Sequence, residues 1–172
     1  MRKGARELCR IAAATAILAV CAWISLPVGA IPVTLQTLGV CLVAGVFKAK
    51  RAFFAVAAYL LLGLVGVPVF SGFRGGVSVF FEPTGGFLLG FLLFAPVVGW
   101  LCKGGFWQRF LAMLFGLVLL YAVGTVWFAT LTSGAELSGF AAALSVCVLP
   151  FLPFDIAKLL LAAYLSERLK NI

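Results

Sequence analysis

Long apolar segments separated by short basic runs constrain this chain more than any other feature. Hydrophobic residues make up 65% of the 172 residues and charged residues only 10%, whereas a soluble domain is about half apolar and about a quarter charged. The polar surface is therefore too small to coat a core in water, and lipid must surround the chain instead. The composition predicts an all-α integral membrane protein, in which each crossing segment pairs its backbone polar groups within its own helix.

Six segments are apolar and long enough to be membrane helices. A crossing takes about 20 apolar residues, and fewer where neighbouring helices bury a short one. The length of the chain fits one domain. We therefore expect a single membrane domain over residues 1–172, with helices at 8–26, 33–47, 52–67, 85–102, 110–131 and 137–169.

The basic residues indicate how these helices are oriented. The chain carries 13 Lys and Arg and a net charge of +8. Eleven of the 13 lie before or at the start of the first helix, after the second or the fourth, or at the end of the chain: Arg2, Lys3, Arg6, Arg10, Lys48, Lys50, Arg51, Lys103, Arg109, Arg168 and Lys170. Basic connections stay in the cytoplasm, so six helices place both termini there, in the cytoplasmic (inner) membrane. Because these residues lie between apolar segments, a nucleic-acid partner is not expected.

The two remaining basic residues, Arg74 and Lys158, are the first candidates for a functional site. Asp155 and Lys158 lie three residues apart in the last predicted helix and so share a face. Each charge inside a membrane helix costs about 2.5–3.5 kcal/mol, so we expect the pair to serve a function, beside a kink at Pro150 and Pro153. The alternative is an internal ion pair that neutralises itself and locks a packing register.

The connection over residues 68–84 is rich in glycine and strongly apolar, unlike a solvated loop. We expect this Gly-rich outer loop, between the third and fourth helices, to be tucked into the mouth of the bundle, since non-helical backbone at membrane depth must be surrounded by protein or line a cavity. A passive loop with its aromatic residues anchored at the membrane interface is the alternative. Within the loop, Arg74 is suited to a two-pronged hydrogen bond with a carboxylate, and Glu82 is the competing partner.

Polar residues at the outer end of the second helix are weaker candidates. Gln36 and Thr37 suit contact with a polar solute, and a hydrogen bond to a neighbouring helix is the alternative. Tyr59 and Tyr121 lie in the middle of apolar helices, and we assign both to packing.

A stripe of small residues marks the first helix, with Ala12 and Ala16 four residues apart at its centre. This spacing lets another helix approach closely, either within the chain or from another subunit.

The chain has no histidine, no paired cysteine spacing and no phosphate-binding or hydrolase motif. The sequence therefore predicts no catalytic centre, no metal site and no cofactor, and it argues against a membrane enzyme.

Four segments of the sequence resemble a known family. They are Ile31-Pro-Val-Thr-Leu-Gln-Thr-Leu-Gly, Tyr59-Leu-Leu-Leu-Gly-Leu-Val-Gly-Val-Pro-Val-Phe-Ser-Gly, Pro83-Thr-Gly-Gly-Phe and Pro150-Phe-Leu-Pro-Phe-Asp-Ile-Ala-Lys. In this order they look like the biotin-specific substrate-binding subunits of energy-coupling-factor transporters, the BioY family. The resemblance covers nearly the whole chain.

The resemblance implies that this chain has six membrane helices and takes up biotin. Biotin would lie in a pocket near the outer face, covered by the 68–84 loop. Asp155 and Lys158 match the polar pair of the family that contacts biotin, and Arg74 falls at a loop position where a polar contact is expected.

The residues themselves add weaker candidates once biotin is considered. Gln36 joins the predicted binding site because of its place on the second helix, and the rings of Phe70 and Phe73 are suited to cover the apolar part of biotin. The resemblance implies one further contact. Ala12 and Ala16 match residues that contact a transmembrane coupling subunit, which two cytoplasmic ATPases drive. Two alternatives stay open: the same architecture binding another vitamin, and a structural or enzymatic membrane subunit.

Overall fold

The computed structural model describes residues 3–26, 32–133 and 137–170, which form a mainly helical bundle. Arg2 and Ile31, which entered the charge and motif arguments, lie outside these residues. The helical fold class is confirmed. Within the described residues, the α-helices are α1 (Lys3–Trp23), α2 (Gln36–Val46), α3 (Ala49–Leu64), α4 (Gly85–Leu101), α5 (Phe106–Ser133), α6 (Leu137–Cys147) and α7 (Leu152–Lys170).

The predicted sixth helix is wrong as one continuous element, because residues 137–169 form two helices, α6 and α7. The break contains Pro150, which has no N–H to continue a helix and whose ring clashes with the preceding turn. The N–H of Leu149 donates to the carbonyl of Leu144 at 3.1 Å and closes α6. Pro153 lies in the first turn of α7, where a missing N–H costs little.

Three other helices begin before their predicted limits. α1 begins at Lys3 rather than at residue 8, α3 at Ala49 rather than at residue 52, and α5 at Phe106 rather than at residue 110. The prediction followed apolar runs and therefore stopped where charges begin. Arg and Lys are nevertheless good helix formers, so the helices continue through the basic residues at their ends.

A short antiparallel ribbon joins α1 to α2, which the all-α prediction did not include. Strand β1 (Ser25–Leu26) pairs with β2 (Val33–Thr34), with Ser25 opposite Thr34. The N–H of Leu35 then donates to the carbonyl of Ile24 at 3.0 Å. The ribbon therefore holds the first residue of α2 beside the end of α1.

Helix α2 is the central element, and it contacts α1, α3, α4 and α7. Small residues let its neighbours approach. A Cβ atom at Gly45 would lie 2.6 Å from the Cβ of Ser166 on α7, and one at Gly39 would lie 2.9 Å from the Cβ of Cys21 on α1. Close backbone approach through small residues is how membrane helices commonly associate.

Glycines on both helices also allow the close contact of α4 with α5. A Cβ atom at Gly90 would lie 2.8 Å from Leu120, and one at Gly116 would lie 2.5 Å from Val98. Gly86 faces Trp127, and Gly124 faces Phe87, with no room for a side chain at either glycine: the four contacts alternate between the two helices. This contact fixes α5 as one wall of the cavity described below.

A buried arginine ties three helices together at the end of the bundle opposite the α3–α4 loop. Arg109 on α5 is 1% exposed. Its guanidinium donates to the carbonyls of Gly104 and Gly45, each at 2.9 Å, and to the hydroxyl of Ser166 at 3.2 Å. Gly45 lies in the last turn of α2, where the helix dipole favours a positive charge. Arg109 therefore links α2, α5 and α7 through carbonyl and hydroxyl acceptors.

The surface of the bundle is apolar. Within the described residues, one helical segment, Phe106–Thr132 in α5, is long and apolar enough by itself to cross a membrane, and α2 and α4 are shorter apolar helices. Several large apolar side chains on α5 are at least half exposed: Leu111, Phe115, Val118 and Val126. Apolar surface of this extent on a helix marks contact with lipid or with another protein.

Candidate functional site

A cavity of about 480 Å³ lies between the α3–α4 loop, residues 65–84, and the helices α2, α4, α5, α6 and α7. Most of the polar candidates from the sequence line it: Gln36, Thr37, Arg74, Asp155 and Lys158. Its walls are largely aromatic and aliphatic, and they include Phe70, Phe87, Leu88, Phe91, Leu120, Phe128, Val146, Cys147 and Phe151. This volume lies within the range of small-molecule sites, which combine apolar walls with a few placed polar groups.

Asp155 and Lys158 form an ion pair on the wall that α7 contributes. The Nζ of Lys158 donates to Oδ1 of Asp155 at 2.8 Å, and the two residues are 8% and 5% exposed. The break at Pro150 places the first turn of α7 at the cavity, and Asp155 lies in that turn. The positive end of the helix dipole stabilises a carboxylate there. The shared face predicted from the spacing is thus confirmed.

Tyr121 was assigned to packing, but its hydroxyl donates to Oδ2 of Asp155 at 2.6 Å. Tyr59, also assigned to packing, is fully buried and its hydroxyl accepts a hydrogen bond from the Gln36 amide at 3.0 Å. A tyrosine in an apolar helix has to satisfy its hydroxyl. The need for a hydroxyl partner is therefore the signal in the sequence that marks both tyrosines as more than packing residues.

Gln36 combines the two roles that the sequence left open. Its amide bonds to Tyr59 on the neighbouring helix α3, and the residue also lines the cavity. Thr37 lines the cavity beside it and is 8% exposed. The bond to Tyr59 fixes one end of the Gln36 amide.

The α3–α4 loop reaches into the bundle through Phe70. This side chain is 2% exposed and packs edge-on against Tyr59 and Phe80, with ring centroids 5.4 and 5.6 Å away. Its ring fills the space beside Gly63 on α3, where a Cβ atom would overlap the ring. Phe70 lines the cavity, so the loop is a packed wall of the cavity and not a passive connection.

Phe73 lies elsewhere, and the structure does not bring it to the cavity. The residue is 65% exposed and stacks on Trp23 of α1, with ring centroids 5.2 Å apart. The backbone is left-handed at both Gly72 and Phe73, with φ of 71° and 57°. This turn directs Phe73 away from Phe70. Trp23 also donates to the carbonyl of Pro68 at 2.8 Å and so holds the loop against α1.

Arg74 pairs with Glu82, the partner that the sequence offered as the alternative. One guanidinium nitrogen lies 2.8 and 2.7 Å from the two carboxylate oxygens. The side chains are 47% and 37% exposed, and both residues line the cavity. Trp127 on α5 donates to the carbonyl of Glu82 at 3.1 Å. A positive charge therefore does lie at the loop end of the cavity, together with its counter-charge.

The remaining predicted residues lie on the surface of α1. Ala12 and Ala16 are exposed, whereas Ala14 and Leu18 face the core. Ala12 and Ala16 therefore do not pack α1 against the described part of the chain, whereas Ala19, a further member of the stripe, is buried in the core. Among the described residues, no three His, Cys, Asp or Glu side chains group as metal ligands would.

Comparisons with known proteins point in one direction. The model of the BioY family matches residues 1–172. The chain is 41% identical over 158 residues to biotin transporter BioY2 of Lactococcus lactis subsp. cremoris strain MG1363, covering 90% of this chain and 85% of the relative. It is 40% identical over 169 residues to biotin transporter BioY of Thermotoga maritima, covering 97% of each. A crystal structure of the S-component for biotin from an ECF-type ABC transporter has a similar fold, with a TM-score of 0.84, 25% identity, and coverage of 100% of this chain and 95% of that one.

Proposed function

The chain belongs to the BioY family, and we propose that it binds biotin and takes it up as the substrate-specific subunit of an energy-coupling-factor transporter. The observation that carries this proposal is the nearly buried Asp155–Lys158 pair facing a cavity of about 480 Å³. Charged side chains inside a membrane segment are energetically unfavourable, so a chain that keeps them there usually needs them for function. The relatives named above are transporters, which supports transport over an enzymatic role.

The polar groups of the cavity complement the chemistry of biotin. Its ureido ring has two N–H donors and one carbonyl, and its tail ends in a carboxylate. Asp155 accepts from the N–H groups, and Lys158 donates to the carbonyl. Gln36 adds a polar contact, and Phe70 covers the apolar part of the ligand. The aromatic walls exclude water, which strengthens each of these hydrogen bonds.

Burial favours Arg74 over Lys158 as the cation that receives the carboxylate of biotin. Lys158 is 8% exposed and already neutralised by Asp155, whereas the side chain of Arg74 is 47% exposed. Burying an ionised carboxylate costs far more than burying a neutral urea. We therefore orient biotin with its ureido ring at α7 and its carboxylate at Arg74, where Glu82 competes for the same guanidinium.

Calorimetric titration of biotin into the purified protein in detergent tests the site. Biotin should bind to saturation, and riboflavin and thiamine should not compete. Asp155→Asn and Lys158→Ala should each weaken binding about 10- to 100-fold, the range expected for a hydrogen bond to a charged group. Glu7→Gln is the matched control, because it breaks an ion pair with Arg51 outside the cavity. Wild-type protein that ignores biotin, or unchanged affinity in both variants, would overturn the proposal.

We also propose that the chain crosses the cytoplasmic membrane six times with both termini in the cytoplasm, and that α6 and α7 together form the last crossing. The distribution of basic residues supports this topology. Labelling with a membrane-impermeant maleimide tests it. The exposed native Cys9 should react only after the membrane is permeabilised, whereas Ser71→Cys should react in intact cells. The reverse pattern would exclude the topology.

The exposed stripe at Ala12 and Ala16 is the surface that we assign to a transmembrane coupling subunit, which two cytoplasmic ATPase subunits drive. Ala12→Leu and Ala16→Leu should reduce co-purification with the coupling subunit and leave biotin binding intact, since a larger side chain blocks close helix approach. Ala122→Leu, on the exposed face of α5, is the matched control. Equal loss of complex in the control would remove α1 as the specific contact.

A further inference from the structure

Both oxygens of the Asp155 carboxylate accept a hydrogen bond from a donor within the chain. Lys158, one turn along the same helix, bonds to Oδ1 at 2.8 Å. Tyr121, on the separate helix α5, bonds to Oδ2 at 2.6 Å. Each carboxylate oxygen has two lone-pair positions, so each oxygen keeps one for a ligand.

Lys158 and Tyr121 differ in how strongly they constrain the orientation of the Asp155 carboxylate. The terminal torsion of an aspartate is broad, and the ammonium group of a lysine attracts either oxygen from many directions. A single bond to Lys158 therefore leaves the carboxylate free to rotate. The second bond, from a rigid aromatic side chain on another helix, fixes its plane.

Tyr121 also contributes to the wall of the cavity. It borders the main cavity and also a second, apolar groove of about 370 Å³ between α5 and α6. Tyr121 thus lies between the two spaces, and its hydroxyl reaches Asp155. Removing only the hydroxyl leaves the wall in place and isolates the effect of the hydrogen bond.

We propose that Tyr121 is a positioning residue, which acts through Asp155 and fixes that carboxylate in the orientation that accepts the N–H groups of the ligand. Without the Tyr121 hydroxyl, the carboxylate turns both oxygens toward Lys158, and the pair closes on itself. The ligand then loses acceptor positions on Asp155 and must also separate Lys158 from it. This inference rests on the proposed function, because it concerns the same cavity.

The chain offers an unusually direct probe, because Asp155 is its only aspartate. Protein labelled with carbon-13 at the aspartate side-chain carboxyl gives one pair of isotope-shifted infrared carboxylate bands, symmetric and asymmetric, and one carboxyl resonance, all from Asp155. In ligand-free protein, Tyr121→Phe should shift these signals. Tyr164→Phe, the matched control on α7, should not, because that tyrosine is half exposed and lies against Arg168.

Biotin binding to the same variants completes the test. Tyr121→Phe should weaken binding about 10-fold or more, as expected when the ligand loses a hydrogen bond to the charged Asp155. The thermal unfolding midpoint of the ligand-free protein should change little. An aspartate signal identical to wild type, or a biotin affinity within about threefold of wild type, refutes the positioning role. Failure of the wild-type protein to bind biotin refutes the proposed function instead, so the two failures are distinguishable.

Discussion

Replacing both members of the Asp155–Lys158 pair should harm stability less than replacing either one. At the 2.8 Å separation of Nζ and Oδ1, and with an effective dielectric constant of about 20, the Coulomb attraction is about 6 kcal/mol. That attraction offsets the cost of removing two charges from water. Either single variant, Asp155→Asn or Lys158→Met, keeps one charge in the cavity wall without its counter-charge.

The expected losses in the free energy of unfolding distinguish the single variants from the double variant. Loss of one partner of a buried pair costs about 3–5 kcal/mol in the free energy of unfolding, whereas neutral replacement of both is often harmless or stabilising. We therefore expect each single variant to lose about 3 kcal/mol and the double variant Asp155→Asn/Lys158→Met to stay within about 1 kcal/mol of wild type. The asparagine oxygen in the double variant still accepts from Tyr121, so that hydroxyl keeps its partner.

Unfolding of ligand-free protein by SDS titration in mixed micelles measures the stabilities, and biotin calorimetry on the same samples measures function. All three variants should lose biotin affinity. The reasoning is refuted if the double variant is as unstable as the single variants and still binds biotin normally. The pair would then be the packing lock that the sequence alone allowed. Glu7→Gln/Arg51→Met, a partly exposed pair outside the cavity, should change stability by less than about 1 kcal/mol.

Four further variants test other parts of the structure. Gly63→Ala places a methyl group where the Phe70 ring lies, so it should displace the loop, destabilise the protein by about 1–3 kcal/mol and speed biotin release in stopped-flow measurements. Arg109→Met leaves three buried acceptors unpaired and should cost about 3 kcal/mol in SDS unfolding, with biotin affinity preserved in the folded fraction. Arg74→Gln should weaken biotin binding and Glu82→Gln should strengthen it, each by less than about tenfold. Calorimetry at high salt should show both effects reduced. Effects of opposite sign would contradict the assigned orientation of biotin.

The fold class and most of the helices could be predicted because they depend on composition and on local sequence. Apolar runs longer than a soluble core needs require lipid, and five of the six predicted helices correspond to α1–α5. Pro150 signalled a kink, but the choice between a bent helix and two helices depends on whether neighbouring groups satisfy the freed carbonyls. That depends on packing, which the local sequence does not contain.

The site could be predicted in part. Asp155 and Lys158 were found because their spacing is local and a charge in an apolar helix is conspicuous. Tyr121 was missed because its role depends on a contact across 34 positions of sequence. Phe73 was placed over the ligand because it lies near Phe70, but the left-handed turn at residues 72 and 73 sends it to Trp23.

The sequence by itself determined that this chain is a helical membrane protein with one energetically unfavourable charged pair, Asp155 and Lys158, in an apolar segment. Hydropathy and charge are properties of each segment taken alone. Only the tertiary structure decided what surrounds that pair. The break between α6 and α7, the glycine contacts of α4 with α5 and the insertion of Phe70 beside Gly63 together produce the cavity. They also decided that Arg74 faces Glu82 and that Tyr121 reaches Asp155. The physical reason is that hydrogen bonds and steric contacts act over about 3–4 Å, so they depend on which distant residues the fold brings into contact.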